Sequence, residues 1–266
     1  MKKKSAGSIA VMLLVMIYLL IPLVISIIYS LFKKWTGILP EGFSIGNYTS
    51  LFSDPNFLAS VGRSVGMCIV PILLTIVIVL LALFVTTIYF PKLEKYVQII
   101  CMIPYTIQGV ILSVSILSLY VGNKSVLSNR MVMLMGAYCI VILPYIYQGI
   151  RNGMRAVNMV TLIEAAEMLG ASKIYAFFRV VVPNIISAII VSSLLAVGII
   201  FGDYVLIRNL AGTSAPNMQI FLYQTMKSDS TKASAVFVII MFVIFVITAV
   251  VLFLKSREGK NRVQKK

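Results

Sequence analysis

A chain of 266 residues that is 60% apolar and only 12% charged, with a mean hydropathy of +1.02, is not a soluble domain. Its formal net charge of +15 invites a nucleic-acid partner, but the basic residues punctuate long uncharged runs, which excludes that reading and points to a membrane protein. Histidine is absent, which removes the commonest metal ligand and general base, and Cys68, Cys101 and Cys139 lie far apart inside apolar runs with no metal-ligand spacing.

Uncharged runs extend over 5–32, 64–91, 96–123, 131–150, 180–202 and 233–254. Each holds the ~20 apolar residues that a bilayer-spanning helix needs. The expectation is an all-α membrane protein, one transmembrane unit over 1–266, with spans at about 9–32, 65–90, 97–121, 131–150, 183–207 and 233–254. The first run follows Lys2-Lys3-Lys4 but is too long for a cleaved signal, and so reads as an anchored helix. With the N-terminus inside, the inner segments carry fifteen Lys and Arg and the outer segments eight, which favours both termini in the cytoplasm.

The outer segment before the second span carries Trp35, Tyr48 and Phe52 around Asn47 and Asp54-Pro55, which suits a helix lying at the interface. Pro71, Pro104 and Pro144 mark kinks within spans. Tyr105 and Gln108 in the third span, with Tyr145 and Gln148 in the fourth, either line a path or make interhelical hydrogen bonds. Asp203, followed by Tyr204, is the one acid placed against the apolar part of a span. It either approaches a substrate path or sits at the outer interface, pairing with Arg208 or capping a turn.

The cytoplasmic loop over 151–182 has internal order. Leu162, Ala165, Ala166 and Leu169 form one stripe of a short helix, with Glu164 and Glu167 on a neighbouring edge. Gly170 stops that helix with a left-handed cap, and Ser172 caps a second one carrying Ile174, Phe177, Phe178 and Val181 up to Pro183. Small alanines beside carboxylates suit docking into the groove of a soluble partner; a helix lying on the inner leaflet is the other reading.

This stretch resembles the EAA loop of inner-membrane permeases from binding-protein-dependent ABC importers: Glu164-Ala165-Ala166, three residues, Gly170, nine residues, then Val180-Val181-Val182-Pro183. Valines stand where that pattern has Ile and Leu. Asn47-Tyr48 to Phe57-Leu58, Ile103-Pro104-Tyr105 and Phe201-Gly202-Asp203-Tyr204-Val205 resemble the spermidine/putrescine-type branch; ferric-iron, phosphonate and thiamine permeases are built similarly, and maltose-type sugar permeases share the loop. The resemblance implies a bacterial inner-membrane permease whose Glu164, Ala165, Ala166, Glu167 and Gly170 seat on a cytoplasmic ATPase dimer. It implies a second, related permease chain and an extracytoplasmic solute-binding protein as partners, and a small polar solute, a polyamine first, as substrate. ATP and magnesium would be bound by the ATPase, with no cofactor in this chain.

The sequence holds no Gly-x-x-x-x-Gly-Lys-Ser/Thr phosphate loop, so the chain is not expected to hydrolyse ATP itself. A stand-alone secondary carrier is the competing class; it calls for buried acids and polar breaks matched between the two halves, and the sequence offers a single marginal Asp203.

Overall fold

The computed structural model describes residues 6–34, 41–107, 109–122, 126–212 and 216–263. Among them the chain is almost wholly helical, with one small antiparallel hairpin, β1 (Phe32–Lys34) and β2 (Glu41–Phe43), pairing Phe32 with Phe43. Trp35 lies outside the described residues. The helices are α1 (Ala6–Ser30), α2 (Gly46–Phe52), α3 (Pro55–Ile88), α4 (Glu94–Met102), α5 (Gly109–Tyr120), α6 (Arg130–Ala156), α7 (Met159–Met168) and α8 (Lys173–Ala176). They continue with α9 (Val182–Gly202), α10 (Val205–Leu210), α11 (Met218–Ser228) and α12 (Ser230–Val263).

Among the described residues five stretches are long and apolar enough to cross a bilayer: Val11–Ser30, Pro55–Ile88, Arg130–Ala156, Lys173–Gly202 and Ser230–Phe253. Pro91–Thr106 and Gly109–Tyr120 are long and apolar enough only as a pair and meet at 102°, as a broken span or a re-entrant loop does, where the sequence leads one to expect a continuous third span over 97–121. The sequence supplies the cause. Pro104 lacks the N–H that a helix turn needs, a tight 3₁₀ turn covers Ile103–Thr106, and Ile107 then adopts extended backbone (φ −95°, ψ 113°).

The fifth span is also corrected, from 183–207 to Lys173–Gly202. The short helix expected after Ser172 is not separate but runs into α9 through a π-helical turn, Phe177–Val181. That widened turn accommodates Pro183 at the start of α9, and Asn184 satisfies the Val180 carbonyl with its side-chain amide at 2.8 Å. Beyond Gly202 the helix stops, because Asp203 is extended (ψ 120°) and α10 begins anew.

The second span is longer than the 65–90 expected. α3 starts at Pro55, with Asp54 capping it by accepting from the Asn56 N–H at 2.9 Å. At 34 residues it measures roughly 50 Å and so projects beyond a ~30 Å hydrocarbon layer. The interfacial helix expected near Tyr48 is present as α2, tied to the end of α1: Asn47 donates to the Ser30 and Phe32 carbonyls, and Tyr48 Oη meets Ser30 Oγ at 2.6 Å.

The core centres on α6, packed between α3 and α9. Leu134, Ala137, Ile142, Ile146, Tyr147 and Ile150 are fully buried along it. Pro71 and Pro144 sit buried within helices that continue through them. At the periphery, α1 leans on α12 and leaves large apolar side chains from Val11 to Ile28 exposed, as suits a lipid-facing or chain-facing helix.

Candidate functional site: an exposed helix end and a groove between helices

α6 ends at a sharp corner. Asn158 takes the left-handed conformation (φ 49°, ψ 62°) between Ala156 and the first residue of α7; asparagine is among the few residues with a side chain that tolerate it. α7 then buries Met159 and Ile163 beside Met154, Ala176 and Phe177. The buried face is Met159 and Ile163 with half-buried Leu162 and Ala166 packed beside them, so two residues of the stripe read from Leu162, Ala165, Ala166 and Leu169 face the core while Ala165 and Leu169 are exposed. Leu169 is 90% exposed, as is Met168. Glu164 and Ala165 are exposed, whereas Ala166 and Glu167 are half-buried.

The end of α7 is closed as the sequence predicts. Gly170 is left-handed (φ +87°), its N–H donates to the Glu167 carbonyl at 2.9 Å, and the Ala171 N–H reaches back to the Ala166 carbonyl at 3.0 Å. This is the Schellman arrangement. Ser172 Oγ accepts from the Tyr175 N–H at 3.3 Å, and Lys173 approaches Glu167 at 3.9 Å across the bend. The result is an exposed helix end with the apolar Met168 and Leu169 in the open beside the Gly170 bend.

A second feature faces sideways. α6 presents Tyr145, Gln148 and Asn152 on one stripe, the last two exposed. With Tyr105, Ser187 and Val191 they line a groove of about 540 Å³ between α6, α9 and the third span. The Tyr105 and Tyr145 rings meet edge to face at 4.8 Å, and Gln148 Nε2 donates to Met102 Sδ at 3.2 Å. Polar side chains within a span face a cavity or a partner rather than lipid. The floor of the groove is a close helix crossing: Gly149 and Gly153 on α6 meet Ser192 and Ala188 on α9, with no room for a Cβ on either glycine.

Three of the residues singled out in the sequence, Tyr105, Tyr145 and Gln148, therefore come together. Gln108 lies outside the described residues. Asp203 and Tyr204 are not among the groove's lining residues. Asp203 instead accepts from the Leu206 N–H at 3.1 Å, the Ile207 N–H at 3.3 Å and the Tyr138 hydroxyl at 3.2 Å, capping α10 and tying it to α6. Tyr204 stacks on Tyr223 at 4.9 Å, and Lys227 lies 4.5 Å above the Tyr223 ring; that ammonium holds the Tyr223 hydroxyl below the usual tyrosine range.

Asn152, Asn158, the glycine pair and Glu94 were missed in the sequence. The Gly-x-x-x-Gly spacing at 149–153 and the position of Asn152 one turn beyond Gln148 were the legible signals. Glu94 accepts from Arg151 Nη2 at 2.8 Å and Nε at 2.9 Å, and from Arg155 at 3.3 Å, a long-range pairing with no local signature.

The family model described as "Binding-protein-dependent transport system inner membrane component" matches residues 93–258. PotC of Haemophilus influenzae, a spermidine/putrescine transport system permease protein, is 24% identical over 252 residues, which cover 95% of this chain and 97% of PotC. PhnV of Salmonella typhi, a permease named for 2-aminoethylphosphonate transport, is 20% identical over 203 residues, 76% of each chain. A chain of a bacterial ABC transporter for the acidic polysaccharide alginate superposes with a TM-score of 0.70 at 18% identity, covering 93% of this chain and 94% of that one. The same fold is matched at 0.70 and 17% identity, over 95% of each chain, in an alginate transporter solved with its pentasaccharide-bound periplasmic protein. The match takes in α4 through α11 and most of α12, and the chain belongs to the family of binding-protein-dependent transport system inner membrane components, the permeases of ABC importers.

Proposed function

We propose that this chain forms one wall of the translocation path of an ATP-driven importer and is switched through α7 by a cytoplasmic ATPase dimer that binds the ATP and magnesium. The observation that carries this reading is the groove lined by Tyr105, Tyr145, Gln148 and Asn152, the last three on α6, the helix whose end leads into α7. A second, related permease chain closes the groove and keeps its amides and hydroxyls from lipid. Six crossings, counting the broken one, put both termini and α7 in the cytoplasm of a bacterial inner membrane. α10 and α11 then lie outside, where an extracytoplasmic solute-binding protein docks; the alginate transporter solved with its periplasmic protein supports that partner. A stand-alone carrier leaves the exposed Met168 and Leu169 without a purpose.

The substrate is a small polar solute, and a polyamine is the first reading because the relative matched over nearly the whole chain is PotC. A second reading, an aminophosphonate, is supported by PhnV and by the geometry of Asp203. Its carboxylate is committed to capping α10, while Arg208 and Lys227 are exposed on the outer helices, leaving cationic rather than anionic charge to meet a solute. Uptake of radiolabelled putrescine and of 2-aminoethylphosphonate by cells expressing the whole transporter separates the two. Accumulation of neither leaves the permease assignment standing and removes both substrate readings.

A further inference from the structure

Glu94 stands at the inner end of the broken third span, and its carboxylate holds both Arg151 and Arg155 in the last two turns of α6. Three contacts follow in antiparallel order along the two segments: Glu94 with Arg151 and Arg155, Met102 with Gln148, and Tyr105 with Tyr145. Pro91–Thr106 is thereby laid against the part of α6 that leads into the Asn158 corner and α7. The Arg151 side chain is only 15% exposed and its guanidinium lies 5.9 Å from the Tyr147 ring centre, so its charge depends on Glu94 for neutralisation. Glu94, Arg151 and Arg155 also share the wall of a cleft of about 230 Å³ with Asn158, Met159 and Val160, the corner and first residues of α7.

We infer that Glu94 is a positioning residue for coupling: it makes the inner half of the third span follow the α6–α7 corner, so that a displacement of α7 reaches Tyr105 and the groove. The inference rests on the proposed role of α7. Two discrete arrangements of this corner, biased by nucleotide at the ATPase, are what the ion pair transmits. Removing the charge leaves the helices folded but lets Pro91–Thr106 move independently.

The test uses the full transporter complex carrying cysteine in place of Ser187, an exposed residue of the groove lining, in a background with Cys68, Cys101 and Cys139 replaced. The labelling rate of that cysteine is measured with and without ATP and vanadate. With Glu94 present the rate changes by at least about fivefold, the lower end of ordinary allosteric coupling. Glu94→Gln abolishes the change while the ATPase still co-purifies, and the charge swap Glu94→Arg with Arg151→Glu restores it. An unaltered nucleotide response in Glu94→Gln overturns the inference, as does loss of the ATPase from that variant or failure of the swap to rescue. If no ATPase accompanies the unmodified permease, the role of α7 fails first and the inference falls with it.

Discussion

Gly149 and Ser192 lie so close that a Cβ on the glycine would stand 2.4 Å from the serine Cβ, and Gly153 bears the same relation to Ala188 at 2.5 Å. Lipid tails are as apolar as leucine, so spans adhere through close approach of small residues. Because the crossing forms the floor of the groove, the seam sets the groove's shape as well as the stability of the bundle.

Gly149→Ala and Gly153→Ala should each destabilise the purified protein by about 1–3 kcal/mol, the usual cost of overpacking. Gly136→Ala is the control: it lies in the same helix with nothing within 4 Å of the added carbon. It should be neutral or stabilise by about 0.5–1 kcal/mol, as Ala replacing Gly within a helix does. Thermal melting in detergent checks the ranking, and three equal shifts would dismiss the seam.

Gly170 has open space around its Cβ direction but a φ of +87°, so any penalty there is one of backbone alone. Gly170→Val should cost about 1 kcal/mol or more and Gly170→Asn less, because asparagine tolerates the left-handed region. The expected readout is impaired substrate-stimulated ATP hydrolysis by the assembled transporter, severe for valine and mild for asparagine. Equal activity in the two variants would show that the bend does not position α7.

Asp203 makes a discriminating pair of substitutions. As a cap it should tolerate asparagine, which keeps a side-chain acceptor, and lose about 0.5–2 kcal/mol on replacement by alanine. As a charge beside a cationic solute it should fail with asparagine. Uptake and melting temperature of Asp203→Asn and Asp203→Ala, measured together, decide between them: lost uptake with unchanged melting in the asparagine variant would restore the path role.

Sidedness follows from the charge asymmetry. A cysteine replacing exposed Lys227 on α11 should react with an impermeant thiol reagent added to intact spheroplasts, and one replacing Ser172 only after the membrane is opened. Reaction of both from the same side is incompatible with the proposed orientation.

The all-α spanning character, the bend at Gly170 and the cap at Ser172 were legible because each depends on local chemistry: an uncharged run, a left-handed residue, a hydroxyl before a helix. Span ends were less legible. Hydropathy sees the lipid-facing residues, but whether a helix continues past them depends on capping, as at Asp54, or on a π turn that absorbs Pro183. The stripe on α7 was only half legible: Leu162 and Ala166 pack on the core, but Ala165 and apolar Leu169 are exposed, and period alone does not tell a buried apolar residue from an exposed one. The Glu94 pairing joins residues 57 and 61 positions apart, and no single-sequence pattern reports such a contact.

The central claim is that the exposed end of α7 seats on a cytoplasmic ATPase. A photo-crosslinking amino acid in place of Met168, which is 90% exposed, tests it directly in cells expressing the whole transporter. The account predicts a crosslinked species containing this chain and a nucleotide-hydrolysing subunit, absent when the same group replaces Lys227, which is outside in the proposed orientation. Crosslinking to lipid alone, or equally from both positions, would contradict it.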